Sequence, residues 1–190
     1  MIKLGLSALL FLTTIFSVNA KQNPRVIMKT NFGEVEIELF QSKAPVTVNN
    51  FLNYVDKKFY DGTIFHRVID NFMIQGGGFT KDLKRKSTEG AIKNEASNGL
   101  ANEVGTLAMA RTSDPNSATA QFFINVVNNS YLNYRDSTLR GAGYAVFGKV
   151  VPTKGMSVVN RIKQVKTTHN PPFQNLPAEH VVIESIRRKK

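Results

Sequence analysis

The chain has 190 residues, enough for one domain or at most two small ones. Its 42% hydrophobic and 21% charged residues exclude a largely disordered or fibrous chain, and its lack of Cys excludes a disulfide scaffold, a thiolate zinc site, a cysteine nucleophile and a lipidated N-terminal Cys. Lys and Arg outnumber Asp and Glu 25 to 14, and the formal charge of +11 raises nucleic acid or an anionic surface as a partner.

The first residues bear on that question. Met1-Ile2-Lys3 places one positive charge before an uncharged apolar run from Leu4 to about Phe16, and Ser17-Val18-Asn19-Ala20 follows. This is the order of a secretory signal peptide, residues 1–20, with cleavage after Ala20. The competing reading is an uncleaved anchor, but the apolar core falls short of the roughly 18–20 residues that cross a bilayer. No later stretch is apolar enough to span, so stable membrane insertion is not expected once the signal is removed. Cleavage removes only Lys3 among the charged residues, which leaves +10 on residues 21–190. An exported, periplasmic protein does not meet the chromosome, so no nucleic-acid partner is expected.

Val26-Ile27-Met28, a turn at Asn31-Phe32-Gly33 and the alternating Glu34-Val35-Glu36-Ile37-Glu38-Leu39 predict a hairpin with one wet face. Pro45 suits the first turn of a helix, where its missing N–H is not needed. Val48, Phe51, Leu52 and Val55 then mark an apolar helical stripe that ends before Tyr60-Asp61-Gly62. Short strands are predicted at 63–68, 72–75, 106–110, 121–126 and 144–150. Gly155 precedes a second stripe of Val158, Ile162 and Val165. A loop holding Pro171, Pro172 and Pro177 follows, and 181–186 closes the chain as a strand. Seven or eight strands with two helices predict one mainly β domain, a barrel or sandwich carrying two helices.

The chemistry is narrowed by what is missing. His66, His169 and His180 lack the spacing of a helical metal site, and there is no nucleophile elbow or Walker loop. Gly76-Gly77-Gly78 lacks the spacing of a dinucleotide loop and reads as a bend where side chains would clash. Asn128-Asn129-Ser130 matches a glycosylation acceptor, a pattern common by chance. No metal and no cofactor are expected.

The segment from Phe65-His66-Arg67-Val68 through Phe72-Met73-Ile74-Gln75-Gly76-Gly77-Gly78-Phe79 resembles the signature of the cyclophilins, which are peptidyl-prolyl cis–trans isomerases. Met109-Ala110-Arg111-Thr112, Ser117 to Asn125 and Gly143 to Val150 extend the likeness from about Val26 to Ile186. The forms of these motifs are most similar to the exported bacterial members. The resemblance implies a closed eight-stranded antiparallel β-barrel with two capping α-helices, and proline-containing unfolded or extended polypeptides as partners. It implies Arg67 as the donor facing the substrate proline, Gln75 orienting it, and Phe72, Met73, Phe122 and Leu132 around the proline ring. Ala110, Arg111 and Gln121 would hold the peptide, with main-chain groups serving at Arg111 so that its side chain is dispensable. His66 should point away from Arg67 in a strand and is read as structural.

The chemistry fits those residue types. A peptide bond turns over a barrier of about 18–20 kcal/mol set by C–N resonance, and for X-Pro this means tens to hundreds of seconds. No bond is made or broken. A fixed cationic donor at the imide nitrogen, in a pocket that excludes water, favours the twisted state. The resemblance also implies Tyr131 and Tyr144 as substrate-binding residues at the pocket border, where the family archetype carries Trp and His respectively. That Trp donates to cyclosporin, so weak cyclosporin binding with catalysis retained is expected. The loop from Asn133 to Gly143 is longer than in compact relatives. The alternatives are a proline-peptide binding module with incidental catalysis and a cationic surface protein. For the second, Lys81, Lys84, Arg85 and Lys86 form one basic cluster and Arg187 to Lys190 another, both read as solvated faces and tails. A closed barrel leaves no free sheet edge, so a monomer is expected.

Overall fold

A computed structural model describes residues 22–190; the expected signal peptide lies outside the described residues. The first hairpin is β1 (Arg25–Thr30) and β2 (Gly33–Leu39), and alternation places Val35, Ile37 and Leu39 in the core. Helix α1 (Pro45–Asp56) follows, with Pro45 in its first turn. No side chain of its own caps it. Instead the carboxylate of Glu95 accepts from the N–H groups of Val46 (3.1 Å) and Thr47 (2.8 Å), taking up two of the donors that a helix start leaves open. Val48, Phe51, Leu52 and Val55 are all buried, as the stripe predicts.

Strands β3 (Thr63–Ile69), β4 (Met73–Thr80), β5 (Thr106–Met109), β6 (Phe122–Asn125) and β7 (Val146–Val150) lead to α2 (Met156–Lys163). A hairpin of β8 (Thr167–Asn170) and β9 (Phe173–Pro177) precedes the last strand, β10 (Val182–Arg188). Eight strands close into an antiparallel barrel in the order β1-β10-β3-β4-β6-β5-β7-β2. The fold is mainly β with two helices, as expected.

Three elements differ from the sequence reading. Strand β4 runs on through the three glycines, because its pairing with β3 shifts register twice between Thr63 and Arg67. Gly77 has φ +79°, and a Cβ there would stand 2.9 Å from ring carbons of both Phe122 and Tyr60; at Gly78 it would meet Gln121 Cγ at 2.5 Å. Strand β7 begins two residues late, because the Tyr144 N–H donates to Leu132 O outside the barrel ladder. The proline-rich loop is in fact the β8–β9 hairpin, with Thr167 opposite Pro177. Strand β8 is exposed throughout, so Thr-Thr-His-Asn shows no apolar alternation to mark it.

The barrel interior is aromatic. Phe51 of α1 packs on Tyr60 (5.2 Å between ring centres), Phe122 (5.6 Å) and Phe147 (5.2 Å), and the Tyr60 hydroxyl donates to Ala120 O at 2.9 Å. A second, smaller apolar cluster lies apart from this core. It contains Met73, Ala108, Phe123, Leu132 and Val146, with Phe72, Ala110 and Tyr144 packed on it. These come from the outer faces of β4 to β7 and the loops between them. This outer cluster is the ground on which the site is built.

The tail is exposed, as expected, but three of its cations have carboxylate partners. Arg187 donates to Asp61 (2.7 Å), Arg188 to Asp56 (2.7 Å) and Lys189 to Glu36 (2.9 Å). Glu36 stands on the face of β2 read as wet, yet it is 4% exposed, because Arg25, Lys154 and Lys189 cover it. These cations hold its pKa at about 2, the Lys189 hydrogen bond being the largest cause. Of the other basic cluster, Lys86 donates to Phe59 O and lies over the Phe59 ring.

Candidate active site

Arg67 and Gln75 face each other across the β3–β4 ladder. Arg67 is exposed, and its guanidinium carbon stands 5.7 Å from the centre of the Phe72 ring. None of the ion pairs among the described residues uses it. The Gln75 amide donates to Gln121 Oε1 at 3.0 Å, which ties β4 to the residue before β6. The guanidinium therefore keeps its donors free beside a fixed neighbour.

Next to it opens a cavity of about 110 Å³ lined by Arg67, Phe72, Met73, Gln75, Ala110, Arg111, Phe123, Leu132 and Tyr144. Its floor is the outer apolar cluster. It is small, apolar and rimmed by cationic side chains, which suits a compact aliphatic ring presented beside a polar group. A second depression shares Gln75, Ala110 and Arg111 with it and continues along Phe79, Arg85, Thr112, Ser117, Thr119 and Gln121. The two form one groove, longer than the ring pocket.

Eight of the eleven residues expected at the site line the cavity itself. Gln121 lies in the neighbouring depression. Tyr131 is 66% exposed and stacks on Phe72, with ring centres 5.9 Å apart. Phe122 is a correction. It is fully buried in the barrel core, 5.5 Å from the Tyr60 ring, and its neighbour Phe123 faces the cavity. The signal was available, since successive strand side chains alternate faces and Met73, which pairs across from Asn125, shares a face with Phe123.

Arg111, whose side chain the resemblance leaves free of a role, has that side chain engaged in the structure. Its Nε donates to Gly143 O (2.9 Å), its Nη1 to Thr112 O (2.9 Å), and the guanidinium lies 4.5 Å from the centre of the Tyr144 ring. It fixes the end of the long 133–143 loop against the pocket. Tyr144 in turn meets Phe123 edge-on, with ring centres 5.8 Å apart. His66 packs between Phe79 (4.7 Å) and Phe173 (6.0 Å), apart from the Phe72 ring that Arg67 faces, and is 6% exposed; the register shift between Phe65 and Arg67 breaks the simple alternation at this point. Burial lowers its pKa from 6.5 to about 4, and the Arg67 charge pushes in the same direction.

Barrel and groove together fit an enzyme that turns peptide bonds at proline. The family model described as cyclophilin type peptidyl-prolyl cis-trans isomerase/CLD matches residues 25–188, so the chain belongs to this family and is a peptidyl-prolyl cis–trans isomerase. It is 57% identical over 175 residues to the peptidyl-prolyl cis-trans isomerase of Acinetobacter baylyi, covering 92% of this chain and 90% of that one. It is 56% identical to peptidyl-prolyl cis-trans isomerase B of Escherichia coli, covering 85% and 97%. A crystal structure of a Cryptosporidium parvum cyclophilin type isomerase superposes with a TM-score of 0.71 at 26% identity, covering 88% of this chain and 98% of that one. The same protein in the presence of the dipeptide Ala-Pro gives a TM-score of 0.70 at 27% identity, covering 87% and 99%.

Proposed function

We propose that the isomerase acts on X-Pro bonds of exported polypeptides, with the proline ring in the cavity over Phe123 and Arg67 donating to the twisted imide nitrogen. The unpaired guanidinium at the rim of an apolar pocket carries this reading. When the C–N bond turns, resonance is lost and the nitrogen regains a localised lone pair. A cationic N–H donor stabilises that state more than either planar isomer, which is what lowers a barrier. Met73, Phe123 and Leu132 hold the ring while the groove holds the flanking chain. The relative solved in the presence of Ala-Pro supports a proline peptide as ligand.

Residues 1–20 act as a cleaved signal and the mature protein works in the periplasm as a monomer, where it assists folding. N-terminal sequencing of the exported protein should begin at Lys21; an intact Met1 sinks the assignment. Tyr131 replaces the family's indole donor, so cyclosporin inhibits weakly; a nanomolar inhibition constant contradicts this. The mechanism itself is tested by Arg67→Ala and Arg67→Lys on an Ala-Pro peptide. Lysine keeps the charge and loses the fork of donors, so its kcat/KM falls between those of the parent and the alanine variant.

A further inference from the structure

Four asparagines form one directed hydrogen-bond chain behind the proline pocket. Asn129 Nδ2 donates to Phe72 O (2.8 Å) and to Asn125 Oδ1 (2.7 Å). Asn125 Nδ2 donates to Asn102 Oδ1 (3.1 Å) and Thr106 Oγ1 (3.0 Å). Asn102 Nδ2 donates to Asn133 Oδ1 (3.1 Å) and Tyr144 O (3.5 Å), and the Asn102 N–H also donates to Asn133 Oδ1 (2.7 Å). Asn102, Asn125 and Asn129 are 1%, 0% and 2% exposed. Each of these three amides uses both of its N–H donors inside the chain, which keeps the network satisfied.

The ends of this chain are walls of the pocket. Phe72 and Tyr144 both sit outside the barrel strands; Phe72 has two backbone bonds at the strand ends, its N–H on Ile69 O (3.0 Å) and the Val126 N–H on its O (3.1 Å), and its O takes the Asn129 amide as well. Leu132, the third such wall, hangs from the same network: its N–H donates to Asn129 O (2.9 Å) and its O accepts from the Tyr144 N–H (2.9 Å). Asn129 is anchored in turn by its own N–H on Asn102 O (2.8 Å). An apolar filling would occupy the same volume without setting the distances between these loops.

We infer that Asn102, Asn125, Asn129 and Asn133 are positioning residues that set the spacing of Phe72, Leu132 and Tyr144 and so the fit of the proline ring. This rests on the placement of the ring proposed above. None of the four lines the cavity. Asn129, the middle residue of the Asn-Asn-Ser match, is therefore a structural joint of the pocket.

Asn133 is only half-buried, and the network uses only its side-chain oxygen. Asn133→Ala removes that acceptor and Asn133→Asp keeps one. With an Ala-Pro peptide, Asn133→Ala should lower kcat/KM about fivefold, through a raised KM, and shift the Phe72 amide signal at the far end. Asn133→Asp should stay within about twofold of the parent. A value for Asn133→Ala within twofold of the parent, an unmoved Phe72 amide, or an aspartate variant as impaired as the alanine one overturns the proposal. Should neither variant fold, titration of the parent with the peptide decides. The side-chain amides of Asn102 and Asn125 should shift while that of Asn31, which donates to His180 O, stays still; no shift at Asn102 and Asn125 overturns it. Arg67→Ala is run beside them. Full activity in that variant removes the site reading and this proposal with it; lost activity there with Asn133→Ala unaffected removes this proposal alone.

Discussion

Arg67 on β3 and the cations around Glu36 on β2 show two ways of placing positive charge on one barrel. Arg25, Lys154 and Lys189 converge on a single carboxylate, so their charge is used up within the fold. Among the described residues Arg67 has no ion-pair partner and lies by the face of Phe72, beside a side-chain amide pair and an apolar hole. Stability comes from charges that find partners; catalysis needs one whose donors remain available to substrate. With a formal charge of +11, what matters is which cation the fold leaves unpaired beside an apolar pocket.

The sharpest way to break this contrast is Arg67→Ala. It should lower kcat/KM about 100-fold or more with little change in Tm, since no ion pair is lost. A variant with normal activity would move catalysis elsewhere. Next, Phe122 and Phe123 separate core from site. Phe122→Ala should cost about 3–5 kcal/mol of stability while the folded enzyme keeps its turnover. Phe123→Ala should lower kcat/KM about tenfold with the smaller loss of stability. Equal effects from both would mean that the two faces of β6 are not separated as described.

The paired region gives the converse result. Glu36→Gln should leave kcat/KM unchanged and lower Tm by roughly 2–4 °C at neutral pH. The folded pKa of Glu36 lies below its ordinary 4.5, so its contribution is present above about pH 4.5 and fades as pH falls toward 2. Asp56 and Asp61 are lowered in the same sense by Arg188 and Arg187. The parent should therefore lose Tm steeply across that window and the Glu36→Gln enzyme less steeply. Matching slopes would show that the Glu36 cluster does not contribute.

Most strands and both helices are legible in the sequence, because alternation and stripes mark buried faces, while the closed barrel and most of the groove are legible only through the nearly unbroken signature around Arg67. The failures share a cause. Phe122 and Phe123 are chemically identical, and only strand phase tells them apart. Strand β8 is exposed on both faces and has no pattern to read. The partners of Arg111, Glu36 and the C-terminal cations lie far away in sequence: Gly143 is 32 positions from Arg111 and Glu36 is 153 from Lys189. A local motif reports which residues are present, whereas closure of the barrel decides which of them meet.

His66 offers the finest test of the contrast, because it is adjacent to Arg67 yet does not line the proline pocket. Its Nδ1 is buried without a hydrogen-bond partner among the described residues, and its ring is wedged between Phe79 and Phe173. With a folded pKa of about 4 against an ordinary 6.5, the neutral ring is the form the fold accepts. The unfolded chain takes up a proton first on acidification, so stability is full above about pH 6.5 and declines as pH falls toward 4. That window lies above the one set by Glu36, so the two can be resolved in a single pH series. His66→Phe removes the titration and the unpaired nitrogen while retaining an aromatic ring. It should flatten Tm between about pH 6.5 and 4, raise Tm by a small margin, and leave kcat/KM at Arg67 within about twofold. A large loss of activity would mean that the packing of His66 tunes the guanidinium at the next position, and the separation between structural and catalytic charge would not hold at this strand.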